Sequence, residues 1–142
     1  MRFVEIKSPE QQSVLIVHRT RMTLMRHRIG LSNMIRAHMA EFGLVAPIGR
    51  LGLQSLIEIV RDDSDDRVPG CARACLNMLA DQLDLVNCQA LETDRMIMAN
   101  ARSTEVGRRL MAVPGVGPVL ASAAVASMPD TRAFKSGRSL AA

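Results

Sequence analysis

The sequence has no tryptophan, no tyrosine and only three phenylalanines among 142 residues. A sheet core draws on aromatic and β-branched side chains, so this scarcity argues against one. With ten methionines and 48% apolar residues, a core here is built from Leu, Ile, Val, Met and Ala, which favours packed helices. Long apolar runs are missing as well. None reaches the roughly 18 residues of a membrane span, and the opening MRFVEIKSPEQQ lacks the apolar centre of a secretory signal. No membrane contact and a cytoplasmic location are therefore expected. Cysteine is sparse and odd in number, so no closed disulfide framework uses every thiol. Cys71 and Cys75 fall four apart on a predicted helix with no histidine nearby, and the cysteines are expected to be small buried thiols in a reducing compartment.

Charge is not scarce but segregated. Residues 1–50 carry eight Lys and Arg against three acids, residues 51–100 four against nine, and residues 101–142 six against two. Two basic blocks around an acidic one are suited to facing a polyanion at both ends, with an uneven solvated surface as the alternative. Asp62, Asp63, Asp65 and Asp66 lack the glycine and terminal glutamate of a calcium loop, so they read as a solvated loop.

Ser8, Pro9 and Gln11 together predict a helix start: a serine cap, proline at the first helical position, and glutamine three residues after the cap. The helix is expected to reach Phe42, with Gly43 as its left-handed stop. Leu15, Met22 and Ile29 repeat every seven residues, as do Met25 and Met39 with Ser32 between. Arg19, Arg21, Arg26, Arg28 and Arg36 decorate the rest. A short helix follows over Leu53, Leu56, Ile57 and Val60. After Pro69, Ala72, Leu76, Leu79, Leu83, Val86, Ala90, Thr93 and Ile97 alternate steps of four and three, the spacing that keeps one seam facing a partner helix. That partner is either the first long helix folded back or the same helix of a second copy.

The stretch LMAVPGVGPVLASAAVA (110–126) interrupts an apolar run with two prolines and two glycines. Ser103 or Thr104 caps a short helix that must end by Val113, because Pro114 has no amide hydrogen and restricts the residue before it. Gly115 and Gly117 allow a sharp reversal, and Pro118 opens a new helix to Met128. The fold expected is all-α, with long coiled-coil-like helices followed by a helix-hairpin-helix. In such a hairpin the amides around Gly115 and Gly117 face a phosphate while Val116 buries itself to hold the turn. Arg108, Arg109, Lys135 and Arg138 surround it with positive charge. These seven residues are the candidate nucleic-acid site; the alternative is a turn that only packs two helices.

The run RRLMAVPGVGPVLASAAVASMPDTRAFKSGRSLAA resembles the opening of the C-terminal domain of a bacterial insertion-sequence transposase family, the "IS one-ten" group. The first 44 residues, MRFVEIKSPEQQSVLIVHRTRMTLMRHRIGLSNMIRAHMAEFGL, resemble the segment that follows that family's RuvC-like domain and enters its coiled coil. The resemblance divides the chain into 1–8, the end of that preceding segment, 9–103, the coiled-coil region, and 104–142, the start of the C-terminal domain. It implies a DNA recombinase acting with a guide RNA, with divalent metal held by RuvC-like acids and a serine that attacks DNA. By that pattern the acids would lie before Met1 and the serine after Ala142, so the chain reads as a fragment with no catalytic residue and no cofactor of its own. Ser122, Ser127, Ser136 and Ser139 have no partner recognisable in the sequence. DNA, a guide RNA and a second copy through the coiled coil are the expected partners. A helical interaction module with a structural hairpin is the other reading.

Overall fold

The computed structural model describes residues 6–128. Its regular structure is all-α: α1 Pro9–Glu41, α2 Arg50–Arg61, α3 Gly70–Ser103, α4 Glu105–Met111 and α5 Pro118–Ser127, with no strand among the described residues. The start of α1 is the reciprocal cap that its sequence predicts. The Gln11 amide donates to Ser8 Oγ at 3.2 Å, and the Ser8 amide donates to Gln11 Oε1 at 3.0 Å. Gly43, at φ 74°, follows its end.

Two compact units divide the chain. One is Thr23–Leu91; the other joins, among the described residues, 6–22 with 92–128. In the Thr23–Leu91 unit, Ile35 and Met39 of α1, Leu56, Ile57 and Val60 of α2, and Leu76, Ala80 and Leu83 of α3 form one buried cluster with Val68. The seam of α3 is thus covered there by helices of the same chain. Arg36 ties the 46–49 connection to α1, donating to the carbonyls of Ala46, Pro47 and Gly49. Arg73, only 8% exposed, donates to the carbonyls of Ile59 (2.7 Å), Val60 (2.8 Å), Asp62 (2.6 Å) and Asp65. It collects the acceptors that the end of a helix leaves unpaired.

In the other unit, Arg21 of α1 pairs with Asp94 of α3 at 2.5 Å. Ile97, Ala101, Ala121, Ser122 and Ala126 are buried. The inward residues of α5 are therefore small, while Val119 and Leu120 face outward, Leu120 with 56% of its surface exposed.

Two expectations need correction. Cys71, Cys75 and Cys88 are all exposed, because positions 71, 75 and 88 fall off the 76, 80, 83, 90 stripe that α3 turns inward. In α1, Met22 and Ile29 are more than half exposed while Ile35 and Met39 are fully buried; the inward stripe follows the second heptad series, through Met25 and Met39.

Candidate nucleic-acid interface

The turn between α4 and α5 is built from both sides. Thr104 caps α4, its Oγ1 accepting from the Gly107 amide at 3.1 Å. Gly107 is buried, and a Cβ there would sit 2.2 Å from the Ala101 carbonyl oxygen, so this position excludes any side chain. Helix α4 ends at Met111, two residues before the limit that Pro114 sets. The Val113 amide donates to Leu110 O and the Val116 amide to Val113 O, both at 3.0 Å, which coils the chain through PGV. Helices α4 and α5 pack on each other, with Ala121 fully buried.

The two turn glycines differ. Gly115 has φ +87° and occupies the left-handed region. Gly117 has φ −84° and ψ 171°, ordinary extended backbone, and serves as N-cap of α5. A Cβ on Gly117 would meet nothing within 4 Å. The requirement for positive φ in this turn therefore rests on Gly115, while Gly117 leaves open space before the amides of Val119 and Leu120. Those amides lie in the first turn of α5, where a helix offers no acceptor of its own, and Pro118 has no N–H to give. Val116 is half-buried.

Of the charged residues, Arg108 is exposed and has no partner among the described residues. Arg109 is exposed but bonds Glu105 at 2.5 Å, so part of its charge is compensated within α4. Lys135 and Arg138 lie outside the described residues.

A polar cluster, fully buried only at Ser122, sits behind the turn. Ser122 Oγ donates to Asn100 Oδ1 of α3 at 2.9 Å and lies 3.0 Å from His18 Nε2 of α1. Since the hydroxyl has one proton and gives it to Asn100, Nε2 carries the hydrogen of the second bond. Burial, with the Arg21 guanidinium beside it, holds the His18 imidazole below its usual 6.5. Ser122 thus has two partners that sequence spacing does not reveal, 104 and 22 residues away. It is fully buried, so the arrangement suits holding helices and not attack on a substrate.

Among the described residues no group of three or more His, Cys, Asp or Glu could hold a metal ion, and no helix is long and apolar enough to cross a membrane.

Comparison with known proteins relates the chain to the insertion-sequence transposases. Residues 107–142 match the model described as the IS116/IS110/IS902 transposase family, and over its whole length the chain is similar to proteins named as insertion-sequence transposases. All of it aligns with a Pseudomonas aeruginosa protein named as a probable family 20 transposase, at 39% identity over 42% of that protein. It likewise aligns with the transposase for insertion sequence element IS1111A of Coxiella burnetii, at 32% over 39% of its length. The transposase for insertion sequence element IS1328 of Yersinia enterocolitica is 26% identical over 42% of its length. The chain thus spans about two fifths of these relatives. No solved structure matches it.

Proposed function

We propose that this chain acts in DNA transposition by gripping nucleic-acid backbone, through the turn between α4 and α5 and the exposed arginines of α1. End-to-end alignment with transposases carries the reading, and the geometry of the turn supports it. Used as a helix-hairpin-helix, the turn reverses at Gly115, leaves room at Gly117, and offers the first amides of α5 to a phosphate. Contacts of this kind hold backbone and read no base. Arg108, and Arg19 and Arg28 of α1, supply exposed charge. DNA is the partner; a guide RNA offers the same phosphates and is the second. A cytoplasmic location goes with both. No catalytic step is assigned to the chain.

A second copy belongs to the same reading. Because Leu76 and Leu83 are buried within the protomer, the copy would meet the opposite face of α3, where Met78 is 70% and Leu85 58% exposed.

Titrating labelled duplex with the protein across a salt series tests the binding. A non-specific dissociation constant on the order of 10⁻⁶ to 10⁻⁴ M, weakening with salt, is expected. Arg108→Ala should flatten the salt slope by about one counterion; Arg109→Ala is less clean, since it also releases Glu105. Gly117→Val should weaken binding at unchanged slope while circular dichroism stays unchanged. Binding that ignores salt, or a folded Gly117→Val protein that binds like the parent, would leave PGVGP as a packing turn.

A further inference from the structure

The buried residues of α5 are alanines and one serine, Ala121, Ser122 and Ala126, with the half-buried Val125 as the one larger side chain beside them. Such a face has little to lock into a hole. Sliding the helix by one residue moves it by about 1.5 Å and turns it by roughly 100°, and in one direction this puts Ser122, Ala123 and Ser127 where Ala121, Ser122 and Ala126 sit, small side chains for small. Apolar burial therefore specifies the seat of α5 poorly. Directional bonds specify it well, because a buried hydroxyl is satisfied in one geometry and left costly in its neighbours. Ser122 makes two such bonds, to different helices: Asn100 of α3 at 2.9 Å and His18 of α1 at 3.0 Å.

We propose that Ser122, through His18 and Asn100, is a positioning residue that fixes the seat of α5 and so aims the Val119 and Leu120 amides at nucleic-acid phosphate. Its value for binding rests on the backbone-gripping reading above; its effect on the turn does not. Ser122 lies four residues from Pro118, one helical turn behind the amides it aims. The charged groups next to His18 are Arg21 of α1, which lowers its proton affinity, and Asp94 of α3, which pairs with Arg21; α5 carries no titratable side chain. His18 with its hydrogen on Nε2 is the donor that Ser122 needs. A glutamine at position 18 offers an N–H donor at similar reach and has no proton to gain.

The test uses the full chain in four forms: wild type, Ser122→Ala, His18→Ala and His18→Gln. Backbone amide NMR shifts and affinity for a labelled duplex are measured on each. In Ser122→Ala and His18→Ala the Gly115, Gly117 and Val119 amides should shift, with helicity retained and affinity down by about fivefold, the scale of one lost hydrogen bond. His18→Gln should restore both readouts. Turn amides that stay in place in both alanine variants overturn the proposal, as does full affinity despite shifted amides. If the wild type binds no duplex, the backbone-gripping reading fails, and the amide shifts alone decide whether Ser122 positions the turn. Should Ser122→Ala fail to fold, the two His18 variants decide in its place.

Discussion

The Arg73 guanidinium is occupied by main-chain carbonyls at the end of α2 and in the loop after it. A planar fork with five donors suits that task, and a lysine ammonium does not. Arg73→Lys should therefore lower the unfolding free energy in urea by about 1.5–3 kcal/mol, the scale of a lost charge-assisted bond. Nearby, hydrogen bonds from the Arg67 side chain and amide bring the Asp65 carboxyl from 3.8 to about 2. A depressed acid stabilises the fold above its unfolded value and loses that contribution as pH falls through the folded one. The Asp65 contribution should thus disappear between about 3.8 and 2, and Asp65→Asn should lack that segment of the acid-unfolding curve. His18 is also depressed, so its neutral form is favoured on folding: its contribution is present above 6.5 and fades as pH falls through the lower folded value. Wild type minus His18→Gln, followed by thermal melting, should show that loss. Among glycines, Gly107→Ala places a Cβ 2.2 Å from the Ala101 carbonyl oxygen and should destabilise strongly, whereas Gly117→Ala should leave melting nearly unchanged.

Along the elements, α3 shows how much periodicity reveals. Its four-three seam predicts Ala72, Leu76, Leu79, Leu83, Val86, Ala90, Thr93 and Ile97 as the inward positions; Ala72 and Leu79 are half-buried and the other six are buried. What the seam meets is open in the sequence, because a heptad pattern is the same whether the partner helix belongs to one chain or two. Leu83→Asp puts a charge into the cluster shared with α1 and α2, and should abolish cooperative unfolding; Leu85→Asp, on the outer face, should leave helicity intact and alter only mass in sedimentation, if a second copy binds there. Helix α1 is legible at its cap and its end, since Ser8, Gln11 and Gly43 act through neighbours in sequence. Its inward face is only half legible: both methionine series keep helical spacing, and only the position of α2 and α3 decides between them. The thiols depart from expectation for a related reason, as small apolar character says nothing about which side of α3 is covered.

For the molecule as a whole, the turn and its prolines are readable because proline and glycine constrain backbone locally. The Ser122 cluster is not, since its three members meet only after the chain has folded through α1 and α3. Net charge of +4 with two basic blocks predicts association with polyanions that weakens with salt, and an anisotropy titration measures it. The outward placement of Leu120 has one more consequence. Because its alanines face in and its leucine faces out, α5 tolerates a bulky aromatic ring at position 120 without repacking. In a protein that lacks tryptophan and tyrosine altogether, Leu120→Trp would be the sole strong intrinsic fluorophore. Its emission would report, without background, on solvent and ligand at the mouth of the turn.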